Sequence, residues 1–310
     1  MGKIRIGTRE SQLAIWQATQ VKDLLAAHGV ESEPVFIKSD GDIDLVTPLY
    51  EIGAQGIFTR SLDSALLSNR IDVAVHSFKD VPTQLPKGIR QASVLKRGPV
   101  RDLLVLKNKE AHQKYQTVKS EGQFHVATSS IRRKAQWLNR FPGHTIHNLR
   151  GNVNTRLKKL QEEMWDAAIF AQAGLERIDL RPETSLILDW MLPAPAQGAI
   201  VVVCRQEDNY SYQACRVFND AATEICTRTE RDFLRKLLGG CSTPISALAE
   251  IESGEIHFKG NILSLDGSQK VEIEKSVLLK NANDIGKLAA EELLLQGGAE
   301  IAESIRHVRN

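Results

Sequence analysis

Apolar and polar residues alternate over residues 3–7, and that period of two predicts a strand. Ser11 then stands where a helix N-cap belongs. Behind it Leu13, Trp16, Leu24 and Leu25 share one helical face, and Gly29 marks the end. A second strand is expected over residues 34–38. A helix over 59–68 follows, with Leu62, Leu66 and Leu67 on one side, and then a short buried strand over 72–76. This βαβ order predicts a mostly parallel sheet. The grammar repeats with strands over 103–106, 124–128, 145–149 and 167–170 and helices over 131–140 and 153–163. Pro193 and Pro195 punctuate the chain before a valine-rich buried run over 199–204. A strand that late can return to the first sheet, so that two α/β lobes joined by two crossings enclose a hinged cleft. Beyond it the pattern changes. An amphipathic helix over 222–238 carries Ile225, Phe233, Leu234 and Leu237 and stops at Gly239-Gly240. Strands over 245–251, 256–262 and 271–279 follow, the last two joined by Asp266-Gly267, a strong hairpin turn, and a helix over 283–296 closes a small α+β domain.

Composition narrows the class. The chain has 310 residues, 42% hydrophobic and 25% charged, which suits a soluble globular protein of two or three domains. The run over 199–204 is too short to cross a membrane. No basic tip precedes an apolar core at the start, so no signal peptide is expected, and a reducing cytoplasm is the expected home. Cys204, Cys215, Cys226 and Cys241 lack paired C-x-x-C spacing, so no zinc site is expected. Net charge is only +2, yet residues 122–161 contain no Asp or Glu while carrying Arg132, Arg133, Lys134, Arg140, Arg150, Arg156, Lys158 and Lys159. That tract is either a solvated basic face or an anion site.

Three constellations bear chemistry. His76-Ser77-Phe78-Lys79-Asp80-Val81-Pro82 follows a buried strand, at the strand end where α/β sheets bind ligands. Asp80 there is an acid, base or electrostatic anchor, or else a turn cap before Pro82. Thr128-Ser129-Ser130-Ile131-Arg132-Arg133 is a strand-to-helix junction, and helix N-termini attract anions. Leu149-Arg150-Gly151-Asn152-Val153-Asn154-Thr155-Arg156 is a second such junction, and two in succession bring their loops to one edge. Finally, Gly239-Gly240-Cys241 puts a cysteine on a loop, as a reactive thiol or a small hydrophobe. No histidine lies close by in sequence to act as its base.

Taken together, these segments resemble the porphobilinogen deaminase (hydroxymethylbilane synthase) family. The likeness spans nearly the whole chain. It rests on Gly7-Thr8-Arg9-Glu10-Ser11-Gln12-Leu13-Ala14, Ala74 to Pro82, Thr128 to Arg133, Leu149-Arg150-Gly151-Asn152-Val153, Pro195-Ala196-Gln197-Gly198-Ala199 and Gly239-Gly240-Cys241, in that order. The resemblance implies two periplasmic-binding-protein-like lobes, residues 1–98 with 196–217 and residues 99–195, and a C-terminal domain, 218–310. It implies a transferase that joins four porphobilinogen molecules head to tail, with loss of ammonia, into linear hydroxymethylbilane for heme biosynthesis. It implies a dipyrromethane cofactor held by Cys241 through a thioether, and Asp80 as the catalytic carboxylate. Lys79, Ser129, Arg132 and Arg133 are implied as further cofactor-binding residues, and Arg9, Ser11, Arg150 and Arg156 as substrate-binding residues. Porphobilinogen is the implied partner, and the chain is expected to be a monomer without nucleic acid, membrane or obligate protein partner.

The resemblance makes sense of the basic tract. Each pyrrole carries an acetate and a propionate, so a six-ring chain brings on the order of twelve negative charges into one cleft. Arginine stays protonated and pairs bidentately with carboxylates. Departures lie at Glu51, Gln55 and Ser61; many relatives carry lysine where this chain has Gln55. A solute-binding protein or a regulator's effector domain shares the two-lobe pattern, but no secretion signal or helix-turn-helix supports either. Arginines at junctions rather than along one helix face, with 5% aromatics, argue against nucleic acid.

Overall fold

A computed structural model describes residues 2–38, 59–117, 123–237 and 243–307. The chain opens with β1 (Ile4–Thr8), α1 (Gln12–Ala27), β2 (Ser32–Phe36), α2 (Arg60–Leu67), β3 (Val73–Ser77) and β4 (Ile89–Val94). Ser11 caps α1 by accepting the Ala14 N–H at 3.4 Å. Gly29 ends the helix turn at φ +72°, where the Val30 N–H returns to the Leu25 carbonyl. Alternation along β1 and β3 sends Ile4, Ile6, Val73 and Val75 under α1, against Val21 and Leu25. Ala74 faces the other way, under Leu62 and Leu66 of α2.

The second lobe follows as β5 (Asp102–Leu106), α3 (Lys109–Thr117), β6 (His125–Ala127), α4 (Ile131–Arg140), β7 (Thr145–His147), α5 (Val153–Glu162), β8 (Ala167–Ala171), α6 (Gln172–Glu176) and β9 (Ser185–Ile187). Its sheet runs β7-β6-β8-β5-β9. Then β10 (Ile200–Arg205) joins the first sheet, in the order β2-β1-β3-β10-β4. The valine-rich run therefore does return. The expectation of a mostly parallel sheet is corrected: β10 is antiparallel to β3 and β4, and β5 is antiparallel to β8 and β9. The cause is connectivity. β4 leads out to the second lobe and β10 comes back from it, so as neighbours they run in opposite directions. The two crossings touch at Gly98 and Gly198. The Gly98 N–H donates to the Gly198 carbonyl at 3.0 Å. Gly198 sits at φ +84°, and a Cβ there would lie 2.7 Å from the Gly98 oxygen.

The rest comprises α7 (Asn209–Arg216), α8 (Ala221–Leu237), β11 (Ile245–Glu252), β12 (Glu255–Leu263), β13 (Lys270–Leu278), α9 (Ile285–Leu293) and α10 (Ala299–His307). β11, β12 and β13 form an antiparallel meander. Phe233 and Leu237 of α8 and Ala289 and Leu293 of α9 pack on Ala247 and Phe258. The helix expected over 283–296 is α9, but it does not close the chain: Gln296 and Gly297 leave helical geometry, Gly297 at φ +102°. The chain then continues in α10, burying Ile301, Ala302 and Ile305. β4, α3, α6, β9 and α7 carried no signal strong enough to read.

The C-terminal part docks on both lobes. Its β12–β13 turn lies on α4, where Asn139 donates to the Gly267 carbonyl at 2.8 Å. Gly267 has φ +77°, and a Cβ would lie 2.5 Å from the Ala135 oxygen. On the other side, the fully buried Glu230 of α8 pairs with Arg97 at 2.6 and 2.9 Å. It also accepts the Ala196 and Ala249 N–H groups at 2.6 and 2.7 Å. Arg97 Nε donates to the Gln197 carbonyl at 2.9 Å. One carboxylate thus gathers both crossings, α8 and β11. Breaking one partner leaves a buried charge uncompensated, so Arg97→Met is expected to cost about 3–5 kcal/mol in urea unfolding. Arg97→Met with Glu230→Leu should recover part of that loss, and a double variant no more stable than the single one contradicts this account.

Candidate active site

β3 ends in a single 3₁₀ turn, Phe78–Asp80. Phe78 is buried and its carbonyl accepts the Val81 N–H at 3.2 Å. That leaves Lys79 and Asp80 partly exposed beside the crossings. Lys79 Nζ donates to Gln197 Oε1 at 3.3 Å.

In the second lobe, the two basic junctions are built alike. Ser130 caps α4 by accepting the Arg133 N–H at 3.4 Å, and Thr128 Oγ1 accepts the Ser130 N–H at 3.2 Å. Asn152 caps α5 by accepting the Thr155 N–H at 3.0 Å. Arg132 and Arg133 turn inward from the first turn of α4 to the buried Asp102 at the head of β5. Arg132 Nη2 reaches Asp102 Oδ2 at 2.7 Å, and Arg133 Nη2 and Nε reach Oδ1 at 2.8 and 3.2 Å. Gln197 Nε2 donates to the same Oδ1 at 2.9 Å. Burial alone would raise the Asp102 pKa, but Arg132 and Arg133 hold it far below the usual carboxylate range. Both arginines also serve carbonyls, Arg132 that of Leu192 at 2.7 Å and Arg133 that of Ile169 at 3.0 Å. Arg156 Nε donates to the Gly151 carbonyl at 2.7 Å, and Arg150 is buried.

The electrostatics join the two lobes. Burial, and next the nearby Arg133, push Lys79 down to about 8 against the opposing pull of Asp80 and Asp102. Burial pushes Arg156 down to about 10, with Arg133, Arg150 and Arg9 adding to it and Asp80 opposing. His76 is pushed down to about 4 by burial and by Arg9. Six cations, Arg9, Lys79, Arg132, Arg133, Arg150 and Arg156, therefore share one electrostatic neighbourhood with two carboxylates, Asp80 and Asp102. Such an excess of fixed positive charge in a partly buried cleft fits a ligand carrying many carboxylates.

The structure thus brings together Arg9, Lys79, Asp80, Arg132, Arg133, Arg150 and Arg156. Ser11 is a helix cap as well, and Ser129 is partly exposed just before α4. The solvated-face alternative holds for Lys134, Arg140 and Lys158, which are exposed, but not for Arg132, Arg133 and Arg150, at 4, 5 and 3% exposure. Cys241, Glu51 and Gln55 lie outside the described residues. Cys204, Cys215 and Cys226 are buried, and desolvation, followed by Glu230, pushes Cys226 up to about 12. Sequence reasoning missed Asp102, Gln197 as a side-chain donor, and Arg177. Arg177 Nη2 donates to the Gly198 carbonyl at 2.6 Å, and burial pushes the guanidinium down to about 10. One signal existed for Asp102: an acid heading an otherwise wholly apolar strand, Leu103 to Leu106, has to be paired.

Comparison with known proteins shows the family of the chain. The family described as "Porphobilinogen deaminase, dipyromethane cofactor binding domain" matches residues 4–213, and "Porphobilinogen deaminase, C-terminal domain" matches residues 224–295. The porphobilinogen deaminase of Chlorobium phaeobacteroides (strain BS1) is 40% identical over 312 aligned positions, covering 98% of each chain. A protein of Methanocella arvoryzae named "Probable porphobilinogen deaminase" is 39% identical, again over 98% of each chain. Among solved structures, the amino acid transporter substrate-binding protein AbpA of Streptococcus pneumoniae aligns over 70% of this chain and 87% of its own, at 14% identity and a TM-score of 0.38. No described helix is long and apolar enough to cross a membrane.

Burial, with the nearby arginines, makes Lys79 testable. In protein free of covalently held cofactor, amine acylation followed by peptide mapping should show Lys79 reaching half its maximal reactivity near pH 8. Below that pH the amine is protonated and inert. A midpoint at the ordinary lysine value of 10.5 contradicts the burial of this amine beside Arg133.

Proposed function

The chain belongs to the porphobilinogen deaminase family, and from that membership we propose which residues carry its reaction. The protein is a transferase of tetrapyrrole biosynthesis that joins four porphobilinogen molecules, with loss of ammonia, into linear hydroxymethylbilane on a covalently attached dipyrromethane. When bound, that cofactor supplies the free pyrrole α-carbon to which the first substrate is joined. Cys241 is the attachment residue in this reading. The support is chemical: the other three thiols are buried and unreactive, while Cys241 follows two glycines beyond α8.

Asp80 is the catalytic carboxylate. As ammonia leaves the substrate, positive charge develops on its pyrrole nitrogen. A fixed carboxylate accepting the ring N–H stabilises that charge best where little water competes. Asp80 also serves to pass protons to the departing amine and from the new α-carbon. Lys79, fixed by Gln197, and Arg9, Arg150 and Arg156 bind acetate and propionate groups. Ser11 accepts an N–H as a cap, and its own O–H stays available to donate to a carboxylate. Arg132 and Arg133, with Ser129 beside them, bind cofactor carboxylates through the N–H groups that Asp102, Leu192 and Ile169 leave over. The lobes are residues 1–98 with 196–217 and residues 99–195, and residues 218–310 carry the attachment. In this reading the chain acts as a monomer in the cytoplasm, and the free described cysteines suit a reducing compartment.

The observation that carries this reading is Asp80, a partly exposed carboxylate whose charge acts on Lys79 of one lobe and Arg156 of the other, among the arginines that crowd them. Asp80→Asn preserves shape and removes the charge. Purified with its cofactor mass intact, it should lose turnover by about 10²–10³-fold or more. Near-normal turnover in that holoprotein would return Asp80 to capping a turn.

A further inference from the structure

The turn that carries Asp80 is held from behind by a residue of the C-terminal part. Arg231, on α8, donates from Nη1 to the Val81 carbonyl at 2.9 Å and the Phe78 carbonyl at 3.3 Å, and from Nη2 to the Pro82 carbonyl at 2.5 Å. Its guanidinium also lies 4.4 Å from the centre of the Phe78 ring. One planar fork thus binds backbone on both sides of Lys79 and Asp80 and stacks on the side chain that opens the turn. A guanidinium suits this task because its donors are fixed in one plane and its face tolerates an aromatic ring; an ammonium has neither property.

The preceding residue makes the contact directional. Glu230 is pinned by Arg97 and by two backbone N–H groups, from Ala196 and Ala249. The helix segment 230–231 is therefore fixed to both crossings through one residue and to the Asp80 turn through the next. α8 ends at Leu237, and Cys241 lies four residues further along the chain. We propose that Arg231 is a positioning residue for the polymerisation. It sets the Phe78–Pro82 turn, and with it the Asp80 carboxylate, relative to the element from which the cofactor-bearing segment departs. The proposal rests on the reading of Asp80 as the catalytic carboxylate. The contacts described for Arg231 are to backbone and an aromatic ring, and in this proposal its effect on rate passes through Asp80.

A misplacement of about 1 Å in a catalytic group costs on the order of 10²-fold in rate. The test uses full-length holoprotein, with Arg231→Met, Arg231→Lys and Asp80→Asn compared by intact mass, thermal midpoint, kcat and KM. Arg231→Met should keep the cofactor mass and stay folded, lowering kcat by about 10- to 100-fold while KM moves less than about threefold. Arg231→Lys, which restores charge and some donors, should fall between it and the parent. An unchanged kcat per holo molecule in Arg231→Met overturns the proposal. So does a loss confined to KM or to the thermal midpoint, as expected of a purely structural contact. If Arg231→Met does not fold, Arg231→Lys decides: reduced kcat at an unaltered thermal midpoint upholds the proposal, and parental kcat overturns it. Activity in Asp80→Asn would instead remove the reading beneath it. An inactive Asp80→Asn beside a fully active Arg231→Met removes this proposal alone.

Discussion

Asp102 is the ion on which the cleft depends. Two adjacent arginines at the start of a helix repel one another, and burying both is unfavourable without an anion between them. The Asp102 carboxylate meets both and also receives Gln197 from the second crossing. It thereby ties the head of β5, the first turn of α4 and the return path to the first lobe into one hydrogen-bonded unit. Lys79 extends the unit to the Asp80 turn through the same Gln197. The arrangement is deliberately incomplete in charge. Six cations outnumber Asp80 and Asp102 here, and Lys79 and Arg156 are pushed down first by burial and next by the nearby Arg133.

A surplus of this kind suits a reaction whose bound chain gains carboxylates at every addition. In the proposed reading, fixed cations receive each new ring without rebuilding the site, and Asp80 keeps a separate task, opposing charge on a pyrrole nitrogen. The C-terminal part completes the division of labour. It touches the second lobe through the Gly267 turn and the crossings through Glu230, and it reaches the Asp80 turn through Arg231.

Much of this was legible in the sequence where local signals are strong. Ser130 and Ile131 mark the start of α4 because a capping hydroxyl and an amphipathic period coincide there. Asp266-Gly267 marks the hairpin because only a glycine fits the left-handed position against α4. The valine run of β10 announced a buried strand, but its direction follows from connectivity, which no local period encodes. Short elements such as β9 and α6 are too brief to show a period. The residues around Asp80, Arg132 and Arg150 stood out as motifs, whereas their partners did not. Glu230 looks like a surface acid on an amphipathic helix, and its ion pair with Arg97 spans 133 positions. Arg231 likewise reads as a solvated charge, since the carbonyls it binds lie about as far away along the chain.

The central claim is that fixed positive charge, rather than shape alone, selects what enters this cleft. The most direct test is calorimetric titration of the Cys241→Ala chain with a free dipyrromethane bearing its acetate and propionate groups, and with the corresponding ester, over a range of salt concentrations. The account predicts that the acid binds, that its affinity falls as salt rises, and that the ester binds far more weakly at every salt concentration. Equal affinity for acid and ester, insensitive to salt, would contradict it.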